Sequence, residues 1–130
     1  YLNTFVAEQQ GEIVGIVVLY DGRLGYKLDR QLEQQLAKKG IQTSLDIEAH
    51  MDEYYIDTIC VSKNARGLGI GTLLLQFAEQ KGKELGYEKI SLNVELEKQD
   101  ARRLYEKIGY RTTESWTIIN EPFHHMVKSL

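Results

Sequence analysis

The sequence predicts an α/β (α+β) fold: one central sheet of mixed, mostly antiparallel strands with helices on both faces. Three observations point there. A strand–glycine turn–helix unit runs from Tyr55 to Gly86, a second strand–helix unit runs from Ile90 to Tyr110, and turn-linked strand pairs stand at both ends of the chain. Two strands that are each followed by their own helix run parallel, whereas the turn-linked pairs run antiparallel.

The elements follow in order. Leu2 to Glu8 reads as a strand, Gln9-Gln10-Gly11-Glu12 as a turn, and the almost continuously apolar Ile13 to Tyr20 as the second strand of a hairpin. Asp29 to Lys39 carries Leu32 and Leu36 one turn apart and stops at Gly40, which predicts a short helix. Ile41 to Asp52 has no clean period. Asp46, Glu48, His50, Asp52 and Glu53 cluster there, read either as a solvated loop or as an acidic rim that draws a cationic amine. Tyr55-Ile56-Asp57-Thr58-Ile59-Cys60-Val61 is β-branched and aromatic, as a mostly buried strand should be. Leu74, Phe77, Ala78 and Leu85 then recur at helical spacing until Gly86. Ile90 to Val94 is a strand. Lys98 to Gly109 is a short helix with Asp100 as its N-cap and Ala101, Leu104, Tyr105 and Ile108 on one face. Arg111 to Ile119, with Trp116 partly buried, is a strand, Asn120-Glu121-Pro122 a turn, and Phe123 to Lys128 the last strand.

Composition narrows the function. The 130 residues suit one domain with a single core, and the net charge of −3 offers no field for nucleic acid or an anionic membrane. No apolar run approaches the ~20 residues of a membrane span, and no signal peptide is visible. The single cysteine, Cys60, excludes an internal disulfide framework and fits a reducing cytoplasm. In its apolar surroundings it reads as a buried structural thiol rather than a covalent acyl carrier. His124 and His125 invite a metal reading, but adjacent strand residues point to opposite faces and cannot easily share an ion. With His50 as the only other histidine, no metal is expected.

The chemistry concentrates in Arg66-Gly67-Leu68-Gly69-Ile70-Gly71-Thr72. A strand, a glycine turn and a helix present unpaired N–H groups and the positive end of the helix dipole, a ready site for phosphate or pyrophosphate. A P-loop would need a lysine before Thr72, and a Rossmann fingerprint would space its third glycine differently. What the segment does match is Gln/Arg-x-x-Gly-x-Gly/Ala, with Arg66, Gly69 and Gly71 in the fixed places. It resembles the acetyl-CoA pyrophosphate motif of GNAT-type N-acetyltransferases. Downstream, Ala101, Leu104-Tyr105-Glu106-Lys107 and Gly109-Tyr110 are similar to that family's Asn-x-x-Ala-x-x-Leu-Tyr-Glu-Lys-x-Gly-Phe/Tyr block. Lys63 stands where the family often has proline, and Lys98 where the second block usually has asparagine.

The resemblance covers nearly the whole chain. It implies one acetyltransferase domain over residues 1–130, without the strand and helices that precede the first hairpin in the family and often help bind the acceptor. It implies acetyl-CoA as co-substrate and direct acetyl transfer to a primary amine of a small molecule, peptide or protein. The two motif strands would splay apart to admit the cofactor. Main-chain groups of Ile59, Cys60 and Val61 would hold the pantetheine and polarise the thioester, and the pyrophosphate would lie over Arg66 to Thr72. Asn93 or Asp100 could replace the missing asparagine, or Lys98 could reach a cofactor phosphate. Tyr105 takes the place of the family's proton donor to the leaving thiolate, or else only packs there. The base is open: Asp57 comes first and Glu53 second, and Asp57 reads equally as a solvent-facing strand residue. The strand edges and last hairpin offer a homodimer surface. A competing reading is a non-catalytic acyl-CoA-binding sensor or interaction module, and a third is an adaptor domain with a vacant loop.

Overall fold

A computed structural model describes residues 2–40, 50 and 52–130. In chain order the elements are β1 (Leu2–Gln9), β2 (Glu12–Asp21), α1 (Gly22–Lys38), β3 (Glu53–Val61), α2 (Ile70–Glu84), β4 (Lys89–Glu95), α3 (Gln99–Ile108), β5 (Arg111–Ile118) and β6 (Glu121–Ser129). Among the described residues the strands form one sheet in the order β1-β2-β3-β4-β6-β5. Only β3 and β4 pair in parallel; the other neighbours are antiparallel. This is the mixed, mostly antiparallel architecture expected.

The first hairpin turns through Gln10 and Gly11, both at positive φ (53° and 82°), a backbone that glycine adopts without strain. The helix expected from Asp29 instead starts at Gly22. Gly22 and Gly25 are poor helix formers, and contacts of α1 with β2 and β3 override that preference. The second hairpin turns at Ile119 and Asn120, at φ of 50° and 63°, one step earlier than the proline suggested. Pro122 lies inside β6 opposite Thr117, near the strand's start, where a missing N–H is tolerated.

On one face of the sheet, α2 buries Leu74, Leu75, Ala78 and Gly82. They meet Val17 and Leu19 of β2, Tyr54 and Ile56 of β3, Ile90, Leu92 and Val94 of β4, and Met126 of β6. Full burial of each such aliphatic side chain stabilises the fold by roughly 1.5–3 kcal/mol. Phe77 and Leu85, expected on this face, are exposed. The true period runs 74–75–78–82, and Phe77 instead meets the Phe5 ring edge-on at 4.8 Å. Ala101, Tyr105 and Ile108 of α3 pack against the same core.

Two irregularities open a cleft in the sheet. Pairing of β3 with β4 covers only Glu53–Ile56 against Lys89–Leu92, so the C-terminal halves of the two strands part. In the β2–β3 ladder, Val18 pairs with Thr58 but Leu19 pairs with Ile56, which leaves Asp57 as an extra residue. A bulge of this kind flips the alternation of the strand. Tyr54 and Ile56 face the core before it; Ile59 and Val61 do so after it. Cys60 is therefore turned outward and exposed, which corrects the expectation of a buried thiol.

Candidate active site

The glycine turn is held from below. Ser62 N–H donates to the Val14 carbonyl at 2.8 Å, and Ala65, buried in a single 3₁₀ turn, donates to the Ser62 carbonyl at 3.0 Å. Gly67 and Gly69 adopt left-handed conformations, φ 81° and 76°. Gly69 is the N-cap of α2 and has no side chain to cap it. The first helical bond runs from Leu73 N–H to the Gly69 carbonyl at 3.0 Å, so the amides of Ile70, Gly71 and Thr72 have no helical acceptor. A cleft opens over them, walled by Ile59 and Val61 on one side and by Leu104 and Tyr105 on the other, with Arg66 at its mouth. Free amides, the helix dipole and one guanidinium suit an anionic, phosphate-like group. Leu68 stands apart: its exposed side chain lines a separate groove with Phe5, Leu73 and Phe77.

A second cleft lies between the splayed strands. Asp57, Thr58 and Ile59 line it from β3, Asn93 and Glu95 from β4, Lys98 and Tyr105 from the α3 side, and Phe123 from β6. Ile59 and Tyr105 belong to both clefts. Asp57 is exposed and accepts a hydrogen bond from Thr58 Oγ1 at 3.1 Å. Tyr105 is half-buried; burial, and then the nearby Cys60 thiol group, hold its hydroxyl above the usual tyrosine range. Neutral pH leaves such a hydroxyl protonated.

The structure separates other residues that the sequence grouped together. Lys98 is the N-cap position of α3 and pairs with Glu95 at 3.6 Å. Asp100, expected as the cap, instead sits exposed in the first turn of α3, near Arg103 at 3.5 Å, and lines neither cleft. The helix starts earlier because the chain leaves β4 in a tight turn, closed by Lys98 N–H on the Glu95 carbonyl. Glu53 is buried and lines neither cleft; its carboxylate meets His125 Nε2 at 2.7 Å. Burial alone would raise the Glu53 carboxyl, but the hydrogen bond and charge of His125 outweigh it and hold the group below its usual range. Asp46 and Glu48 of the expected acidic rim lie outside the described residues. Asp52 is turned to Lys89 at 3.2 Å.

The buried role of His125, beside the expected site residue Asn93, escaped the sequence reading. Asn93 lines the second cleft, and its Oδ1 lies 2.6 Å from Nδ1 of the fully buried His125. His124 and His125 do face opposite sides, His124 meeting Arg102 and His125 meeting Glu53. The role of His125 as a buried polar centre had no local signal, because its partners are 32 and 72 positions away.

The pattern of the Acetyltransferase (GNAT) family matches residues 2–110 of the chain. The chain belongs to this family. It is 34% identical over 110 residues to an N-alpha-acetyltransferase of Sulfurisphaera tokodaii, an alignment covering 82% of this chain and 55% of that protein. Against an aminoalkylphosphonate N-acetyltransferase of Salmonella typhimurium the identity is 28% over 99 residues, 70% of this chain and 64% of that protein. The chain thus spans less than two thirds of either relative. Among solved structures, one described as an acetyltransferase superposes with a TM-score of 0.76 at 32% identity, covering 95% of this chain and 68% of that one. No described helix is long and apolar enough to cross a membrane.

Proposed function

We propose that this chain transfers an acetyl group from acetyl-CoA directly to a primary amine of a small molecule, peptide or protein, with both substrates bound together. The observation that carries the reading is the junction at Ile59 and Tyr105, where a cleft suited to a phosphate-bearing cofactor meets a second cleft between the splayed strands. Two substrates entering from different sides would have their reacting groups brought together there, which removes much of the entropic barrier. The amides of Ile70, Gly71 and Thr72, with Arg66, hold the pyrophosphate. Main-chain groups of Ile59, Cys60 and Val61 hold the pantetheine and donate to the thioester oxygen as charge develops on it.

The proton balance falls to two side chains. A free amine has a pKa near 10.4 and is charged at neutral pH, so its proton must leave before attack. Asp57, exposed in the second cleft, takes that proton directly or through water. The amine nitrogen bonds to the acetyl carbon, the carbon–sulfur bond breaks, and the Tyr105 hydroxyl gives its proton to the departing thiolate. Glu53, the second candidate for the base, is turned to His125. Asn93 and Lys98 present polar groups to the second cleft and orient what binds there. The named relatives are described by different acceptors, an N-alpha-acetyltransferase in one case and an aminoalkylphosphonate N-acetyltransferase in the other. That spread supports a primary amine as the common acceptor class.

Calorimetric titration with acetyl-CoA and with dephospho-CoA, repeated on Gly69→Glu, tests the cofactor half. A carboxylate at this position would occupy the space offered to the pyrophosphate and repel it. Binding by the wild type that the glutamate abolishes is the expected result, followed by turnover in a screen of primary amines. Binding without turnover of any amine would point to an acyl-CoA sensor. No heat from a folded sample would sink the proposal.

A further inference from the structure

We propose that His50, Glu53 and His125 form a binding site for a divalent transition-metal ion of the zinc type, separate from both clefts. The three residues come from two parts of the chain. His50 precedes β3, Glu53 opens it, and His125 reaches across from β6, yet their ligand atoms all lie within 4.8 Å of one another. Two imidazoles and a carboxylate are the donor set that zinc and its neighbours favour, whereas calcium and magnesium prefer oxygen alone.

The surroundings are those of a supported site. Metal-bound histidines usually donate their second ring N–H to an oxygen, which orients the ring. His125 Nδ1 lies 2.6 Å from Asn93 Oδ1, and Asn93 Nδ2 donates to the Tyr55 oxygen at 3.2 Å, which turns the amide oxygen toward the ring. Nδ1 then carries a proton, and Nε2 faces Glu53 Oε1, 2.7 Å away, through a second proton that a metal ion would displace. A bound ion would have to spread this pair by about 0.7 Å, to the ~3.4 Å that separates tetrahedral donors. Glu53 Oε1 also accepts the backbone N–H of His50 at 3.1 Å, tying His50 to the cluster. His50 Nε2 lies 2.7 Å from Glu114 Oε1, which places a second carboxylate beside the cluster.

Burial is graded across the cluster. The His125 and Glu53 side chains are 0% and 4% exposed, whereas His50 and Glu114 are 46% and 42% exposed. The inner half is thus shielded from water, and the outer half gives an ion a way in. Bonds of about 2.1 Å set tetrahedral donors about 3.4 Å apart, so the widest pair must close by somewhat over 1 Å. The two exposed side chains can supply that movement. The bound ion would pin His50 and the start of β3 to β6, directly behind the Asn93 that lines the second cleft.

The chain carries its own reporter. Trp116 is its only tryptophan, and its ring stacks on His125 with centroids 4.0 Å apart and 17° between planes. Chelator-treated protein is titrated with Co²⁺ while Trp116 emission and visible absorption are followed, and Zn²⁺ is then added. The expected result is saturable one-to-one quenching with ligand-field bands, reversed by Zn²⁺. His50→Gln, at a half-exposed position, should weaken Co²⁺ binding by about tenfold or more, and His124→Gln should leave it unchanged. His125→Gln removes binding if the variant folds, and His50→Gln decides the matter if it does not. Absence of saturable quenching up to about 1 mM Co²⁺, far weaker than protein metal sites of this donor set, would overturn the proposal. So would quenching that survives His50→Gln undiminished or that depends equally on His124.

Discussion

Ile59 of β3 and Tyr105 of α3 line both the cleft over the glycine turn and the cleft between the splayed strands. Any group passed from one cleft to the other crosses between these two residues. Replacing Tyr105 with phenylalanine keeps the ring that packs against the core and removes only the hydroxyl. Acetyl-CoA affinity should hold while kcat falls by about a hundredfold or more, the usual worth of a positioned proton donor. Steady-state kinetics beside calorimetry separates the two. An unchanged kcat would reduce Tyr105 to a packing residue.

The same hydroxyl predicts a pH signature. An acid works only while it carries its proton, and burial holds the Tyr105 pKa above the tyrosine value of about 10. The kcat profile should therefore keep rising or stay level to about pH 10, with its alkaline fall beyond that. If the fall persists in Tyr105→Phe, it belongs to another group.

Asp57→Asn should lower kcat/KM at neutral pH by about a hundredfold, in line with the loss of a general base. The deficit should shrink as pH approaches about 10.4, where the amine becomes neutral without help. A deficit that is the same at every pH would mean that Asp57 only binds or orients the acceptor.

The two glycines at the start of α2 should respond differently to alanine. Gly69 is left-handed at φ 76°, which costs a residue with a Cβ about 1–2 kcal/mol. A Cβ at Gly71 would meet only Val61 Cγ2, at an ordinary 3.7 Å. Urea unfolding should show Gly69→Ala destabilised by about 1 kcal/mol or more and Gly71→Ala near neutral. Equal midpoints would mean that the turn relaxes at no cost.

Glu79 of α2 accepts hydrogen bonds from Lys128 Nζ at 2.8 Å and from the Tyr110 hydroxyl at 3.2 Å, with its side chain 13% exposed. Burial, followed by the charge of Glu79, pushes the Tyr110 hydroxyl far above the ordinary range, so it stays a donor at any working pH. Glu79→Ala leaves both partners without their acceptor and should destabilise the fold by about 2 kcal/mol. Chemical denaturation with an unchanged m-value would check it, and a loss below about 0.5 kcal/mol would show that water replaces the carboxylate.

Much of the fold was legible because its signals are local. A glycine at a turn, β-branched runs and a 3.6-residue period act within a few residues, and they located the hairpins, the two strand–helix units and the glycine turn. Failures came where a distant partner decides. Phe77 and Leu85 fit the helical period of α2 as well as Leu74 does, yet only the sheet's position chooses which side of the helix is buried. The start of α1 is set by contacts with β2 and β3, against its own glycines.

The sequence by itself determined the order of elements, the glycine turn with its outward amides, and Tyr105 one helix later, since spacing along the chain fixes all three. The tertiary structure alone decided which side chains face the clefts. One extra residue at Asp57 reverses the alternation of β3, bringing Ile59 and Val61 inward and sending Cys60 out. That bulge exists only as a mismatch of register between two strands, so a single strand read alone cannot reveal it. The meeting of His50, Glu53 and His125 is likewise a property of strand order: β4 separates β3 from β6, and sequence distance carries no trace of that neighbourhood.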